Sequence, residues 1–134
     1  MKILISMSNL PPNWTESRFN SFVISALRKA SMKWPYKHIV LKNSRQEKGM
    51  YLCNICNEVV PVTVKQDNGT RKKNVYVDHI KPVIDPEVGF VSWDDFIKRL
   101  FVGEDGLQVV CKKCHDEKSK KEKLIAKQRT KKGS

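Results

Sequence analysis

The chain has 134 residues, with 26 Lys and Arg against 14 Asp and Glu, a formal charge of +12 at pH 7. A chain this short buries only a modest share of its unfolded surface and seldom supports two cores, so a single small core with arms is expected. The charge disfavours basic partners and draws polyanions, nucleic acid first among them, although a basic balance by itself also suits an anionic surface or plain solubility.

Residues 1–7 hold an apolar run too short for a signal-peptide core, with no small-residue cleavage site behind it, so a cytoplasmic location is expected. No apolar stretch approaches the roughly twenty residues of a bilayer-spanning helix, which leaves no membrane partner. After Pro11-Pro12 a helix is expected from residue 15 or 16 to about 30, with Thr15 as its N-cap and Glu16 in the favourable first turn. Phe19, Phe22, Val23, Ala26, Leu27 and Ala30 recur at helical spacing and form its apolar stripe, opposite Arg18, Arg28 and Lys29. Residues 33–48 mix Trp34, Tyr36 and His38 with Lys and Arg, and Pro35 interrupts any helix, so an extended basic linker is expected. His38, in that setting, reads as structural.

From Glu58 the pattern turns to strands. Residues 59–64 and 74–77 are rich in β-branched and aromatic side chains, and Asp67-Asn68-Gly69 between them is a turn, so a hairpin of these segments is expected. The second strand runs into Asp78-His79. A proline-marked loop follows over residues 82–90, then a short helix from about 93 to 101 capped by Ser92, with Trp93, Phe96, Ile97, Leu100 and Phe101 as core. Residues 107–110 read as a buried strand, Cys111 as the start of a helix reaching toward Ala126, and residues 127–134 as a basic, disordered tail with nothing apolar to bury.

Cys53-x-x-Cys56 and Cys111-x-x-Cys114 are two short-spaced thiol pairs. In a reducing compartment such pairs point to metal rather than disulfides, and four thiolates can close a tetrahedral shell around zinc. The 54 residues between the pairs exceed what a compact zinc ribbon needs, so a further element is built between the halves of the site. On a helix Cys111 and Cys114 share one stripe, His115 flanks it, and Lys118 lies one turn beyond His115, where a cation could meet phosphate. Asp78-His79 at a strand end and His115 on the helix after the next strand are polar groups that can converge.

The stretches Val77-Asp78-His79-Ile80-Lys81-Pro82, Trp93-Asp94-Asp95-Phe96-Ile97 and Leu107-Gln108-Val109-Val110-Cys111-Lys112-Lys113-Cys114-His115-Asp116-Glu117-Lys118 resemble the HNH endonucleases of the ββα-metal superfamily. Within them the four-cysteine proteins common in bacteriophage genomes are the most similar, over residues 53–123, roughly half the chain. The resemblance implies an α+β fold: a small ββα-metal domain at 51–126 stapled by a four-cysteine zinc site, after an N-terminal helix and basic linker at 1–50 and before the tail at 127–134. It implies metal-dependent hydrolysis of DNA phosphodiester bonds, by nicking or double-strand cleavage. His79 falls on the general base, Asp78 and His115 on the ligands of the catalytic ion, and Cys53, Cys56, Cys111 and Cys114 on the structural zinc.

With two protein ligands the catalytic ion keeps several waters, which suits Mg²⁺ and tolerates Mn²⁺. Two positions depart from the family. Ser119 stands where colicin-like members carry a further histidine. Gly106 stands where the central Asn usually braces the loop that presents the base, leaving Asp105, Gln108 or a backbone group to replace it. Arg18, Arg28, Lys29, Lys33, Lys37, Lys42, Arg45 and Lys118 are the candidate DNA contacts. A phage setting and a terminase or packaging partner follow from the resemblance alone, and the oligomeric state stays open. The competing expectations are a zinc-containing DNA-binding module with lost or weak cleavage, for which Gly106 is the best argument, and a purely structural zinc protein.

Overall fold

A computed structural model describes residues 5–132; what was expected of residues 1–4 and 133–134 lies outside the described residues. Helix α1 (Glu16–Ser31) begins where Thr15 Oγ1 accepts the Arg18 backbone N–H at 3.1 Å, with Glu16 in the first turn. Its inward face matches the expected stripe only in part: Leu27 packs inward and Phe19 and Val23 are half-buried, whereas Phe22, Ala26 and Ala30 are exposed. Asn20 and Ser31 are buried, and Ile24 and Leu27 pack on Val83, Phe96 and Leu100. Phe22 stays 58 % exposed, edge-on to Trp14. Positions 20, 24, 27 and 31 recur at helical spacing just as the apolar set does, and the tertiary neighbours select between the two faces.

Helix α2 (Pro35–Ser44) takes the place of the expected linker. Pro35 sits at the first helical position, where its missing N–H has no intrahelical partner to lose and its fixed φ already suits a helix. The proline therefore starts a helix instead of interrupting one. Just before it, the Trp34 indole N–H donates to the Val102 carbonyl at 2.7 Å, and its ring meets Phe101 edge-on.

Seven short strands follow in three antiparallel sheets. Strands β1 (Arg45–Glu47), β2 (Met50–Leu52) and β3 (Val59–Pro61) form one. Strands β4 (Thr63–Lys65) and β5 (Arg71–Lys73) form an exposed hairpin, turned by Asn68-Gly69 with Gly69 at φ 86°. Strand β6 (Val75–His79) pairs with β7 (Leu107–Cys111), setting Asp78 opposite Gln108 and His79 opposite Leu107. The expected hairpin thus has the right turn and the wrong partners. The chain changes partners around Pro61 and Asn74: the Asn74 side-chain amide donates to Pro61 O and its backbone N–H to Val62 O, which ends one ladder and frees β6 to pair with β7.

Helix α3 (Trp93–Leu100) is capped as expected, Ser92 Oγ accepting the Asp95 N–H at 3.0 Å. Trp93, Phe96 and Leu100 are buried, whereas Ile97 turns outward. Helix α4 (Lys112–Lys132) starts one residue later than expected, because Cys111 is still paired in β7, and it runs through residues 127–132, where disorder is expected. Lys, Gln, Arg and Ala are good helix formers. The Arg129 guanidinium also donates to Pro86 O at 2.9 Å, so this last stretch is anchored by hydrogen bonding although it has little apolar surface.

Among the described residues the fold is a mixed α+β arrangement of four α-helices and small antiparallel sheets. Its centre is the β6–β7 pair, which α2 and α4 both contact. One core cluster joins Cys53, Val110, Cys111 and Cys114 with Val60 and Tyr76; the other joins Val83, Phe96 and Leu100 with side chains of α1 and the 82–90 loop. Among the described residues no helix is long and apolar enough to cross a membrane. Because Phe96 is 1 % exposed, Phe96→Ala should cost about 3–5 kcal/mol in urea unfolding. Ile97→Ala, on the outer side of the same helix, should cost much less.

Candidate metal centre and active site

The four Cys Sγ atoms lie within 4.8 Å of one another. The first pair sits on a tight turn: Cys53 N–H donates to Glu58 O, Asn57 N–H to Cys53 O, and Asn57 takes φ 61°. Asn54 N–H ties that turn to β7 through Val109 O at 2.8 Å. The second pair spans the junction of β7 and α4. Tetrahedral zinc with Zn–S bonds of about 2.3 Å sets its sulfurs roughly 3.8 Å apart, so this all-sulfur cluster is compact enough to suit such an ion.

The thiols are not equivalent. Burial pushes Cys53 up, but the backbone N–H groups of Cys56, Cys111 and Ile55 outweigh it and bring the thiol down to about 6. One of these contacts is the Cys111 N–H, 3.3 Å from Cys53 Sγ. Burial and the neighbouring sulfurs push Cys114 up to about 12. Without a cation one thiolate forms and opposes the others; a divalent ion is what allows all four to ionise together.

Alternation along β6 sends its side chains to two sides. Tyr76 and Asp78 face α4. The Tyr76 ring stacks on His115 at 4.4 Å and 12°. Asp78 Oδ2 lies 2.9 Å from Lys118 Nζ, which also reaches Glu122 Oε1 at 2.9 Å and donates to the His79 carbonyl at 3.0 Å. Asp78 Oδ2 and His115 Nδ1 are both buried; the Lys118 ammonium partners the carboxylate, whereas His115 Nδ1 has no hydrogen-bond partner among the described residues. Asp116 Oδ1, on an exposed side chain, lies 3.6 Å from His115 Nδ1. Burying a polar atom without a hydrogen bond is costly, and His115 Nδ1 bears that cost. Asp78 and His115 thus both lie on the α4 side of β6. Lys118, expected to meet phosphate, is paired with two carboxylates.

Val77 and His79 face the other way, toward α1 and α2, and line a cavity with Arg28, Lys29 and Lys37. His79 Nε2 lies 2.8 Å from the Leu100 carbonyl. A carbonyl only accepts, so Nε2 carries the proton and Nδ1 keeps its lone pair. Burial lowers the His79 pKa below 6.5, and Lys37 and Arg28 push the same way, against the Leu100 hydrogen bond and Asp78. The ring is held neutral near pH 7. The remaining candidate contacts do not gather here: Arg18 lies over the Trp14 ring, and Lys33, Lys42 and Arg45 are exposed and outside the cavity lining.

The loop after His79 is braced without an Asn. A Cβ on Gly106 would stand 2.7 Å from Val102 Cβ, so a side chain at this place requires a local shift. The Gly106 carbonyl instead accepts the Ile80 N–H at 3.0 Å, extending the β6–β7 ladder by one bond. Arg99 donates from Nε and a terminal nitrogen to Pro82 O, at 3.0 and 2.6 Å, and from Nε to Val83 O at 2.9 Å. At the far end of the loop Arg129 covers Gly89. Sequence reasoning missed Arg99, Arg129, Tyr76 and the Lys118 ion pair. Only the i,i+4 spacing of Lys118 and Glu122 signalled any of them, because the other partners are distant in sequence.

Comparison with known protein families, with curated proteins and with solved structures finds no match.

Elemental analysis of the purified protein should find one tightly held zinc per chain, and Cys111→Ser or a strong chelator should lower the melting temperature sharply, since four-cysteine sites contribute directly to folding. His79 should titrate below 6.5 when its ring signals are followed by NMR without added divalent ion. Because the unfolded chain binds that proton more readily, the His79 contribution to stability is complete above pH 6.5 and is lost as pH falls toward the folded value.

Proposed function

We propose that the chain is a metal-dependent DNA endonuclease of the HNH type, its last helix held by zinc in the four-cysteine cluster. The observation that carries this is the placing of Asp78 and His115 on facing elements, with His115 Nδ1 buried and unpaired, beside a strand whose last residue, His79, is kept neutral with Nδ1 free. A divalent ion such as Mg²⁺ or Mn²⁺, held by Asp78 and His115, would supply Lewis-acid stabilisation of the charge developing on the leaving 3′-oxygen.

The chain's own residues do the rest. His79 Nδ1 takes a proton from the attacking water as its oxygen bonds to phosphorus, and the P–O3′ bond breaks to leave a 5′-phosphate and a 3′-hydroxyl protonated from solvent. Leu100 O holds Nε2–H, which fixes the tautomer through that transfer. Zinc on the cysteines would fix the start of α4, and with it the position of His115 one residue beyond Cys114. Tyr76, stacked on His115, restricts its ring plane.

The Lys118 ammonium on Asp78 favours a second reading, a zinc-containing DNA-binding module that does not cleave, because that cation already neutralises the carboxylate a divalent ion needs. Supercoiled plasmid incubated with Mg²⁺ or Mn²⁺ separates the two. Relaxed circles or linear product are expected from the wild type, and His79→Ala should lower the rate by about 10²–10⁴. Retarded but uncut plasmid would favour the binding module, and equal cutting by wild type and variant would overturn the role of His79.

A further inference from the structure

The cavity on the α1–α2 side of β6 carries a consequence for how substrate approaches. Its volume is about 500 Å³, and Arg28, Lys29 and Lys37 stand around a wall of Met32, Val77, Leu100 and His79. Lys37 also lines the adjoining hollow with Lys73 and His38.

Among the described residues no carboxylate forms an ion pair with Arg28, Lys29, Lys37 or Lys73; the ion pairs there all belong to α4, with Asp78 as the one partner from outside it. The nearest polar partner of the Lys37 ammonium is Ser31 Oγ at 3.4 Å, and that serine is itself 2 % exposed, its hydroxyl held by donation to Arg28 O at 2.7 Å. A buried hydroxyl therefore supports Lys37 beside two other cations. Partial burial lowers the Lys37 pKa, and repulsion from Arg28 and Lys73 adds to it, against Asp78. Like charges gathered in a concave, partly apolar setting without a counter-charge are relieved by an anion that enters it.

We propose that this cavity seats a phosphodiester group of nucleic acid, with Arg28, Lys29 and Lys37 as its donors, so that the backbone reaches His79 along the α1–α2 side. Arg28 presents a fork suited to two phosphate oxygens, whereas Lys37 acts as a point charge. This deepens the endonuclease reading by naming where its substrate's backbone binds, yet its test needs no cleavage.

Full-length, zinc-loaded protein is titrated against a labelled DNA duplex by fluorescence anisotropy over a salt series, without added divalent ion. Arg28→Gln/Lys37→Gln should bind about tenfold more weakly, with a salt slope shallower by about 2, since each phosphate that is no longer neutralised keeps its condensed counterion. Lys65→Gln/Lys72→Gln, the same charge change on the β4–β5 hairpin, should change affinity by less than about threefold. Equal weakening by both pairs, or none from the first, overturns the proposal.

The unaltered chain provides a second measurement. Thymidylyl-thymidine, a single phosphodiester, should shift the amide signals of Ser31 and Val77 first, and shifts confined to α4 overturn the proposal. Wild type that binds through the cavity but never nicks plasmid leaves this seat standing and removes the nuclease. Wild type that nicks while the first variant binds normally does the reverse.

Discussion

The cysteine cluster is the constraint on which the site depends. It joins a turn after β2 to the point where β7 becomes α4, so one small volume sets the direction in which the last helix leaves the hairpin. His115 follows Cys114 directly, and Lys118 lies one turn on, so both inherit their positions from that junction. The cluster is not self-sufficient: the Asn54 bond to Val109 and the Cys111 N–H aimed at Cys53 hold the two halves in register. These bonds are worth about 0.5–1.5 kcal/mol each, so they orient the thiols while metal binding would supply most of the energy.

The pleat of β6 divides the polar chemistry between two sides of one strand. Asp78 joins His115 and Lys118 beside α4, and His79 joins the cations of α1 and α2. Adjacent residues of a strand point oppositely, so a carboxylate and an imidazole next to each other in sequence meet different environments. The two environments act in opposite senses. On one side an ammonium neutralises a carboxylate, and on the other burial and positive charge keep an imidazole uncharged. A group that bridges both sides must pass the end of the strand, and His79 is the last residue of β6.

The segment between His79 and α3 has little regular structure, and guanidinium groups hold it. Arg99 binds consecutive carbonyls at Pro82 and Val83, and Arg129 binds Pro86 at the opposite end. A planar fork with several donors suits this task, because irregular backbone offers carbonyls in many directions and each left unpaired is costly. The close approach of Val102 to Gly106 belongs to the same packing: where the backbone runs this near a neighbouring side chain, bracing passes to the Gly106 carbonyl and to Arg99.

The thiol pairs, the caps at Thr15 and Ser92, the Asn68-Gly69 turn and the buried strand at residues 107–110 were legible in the amino acids alone, because each rests on a short-range rule: ligand spacing, a side chain reaching its own backbone, a glycine tolerating positive φ. Asp78, His79 and His115 could also be singled out, from their places at a strand end and beside a cysteine pair. Pro35 was ambiguous, since the same ring stops a helix or starts one according to where the first turn falls. The inward face of α1, the partners of β3 and β6, the helical stretch at 127–132, the ion pair between Asp78 and Lys118 and the gathering of Arg28, Lys29 and Lys37 around His79 were decided only in three dimensions. Each depends on groups tens of residues apart, and local composition has no term for the neighbour that long-range packing supplies.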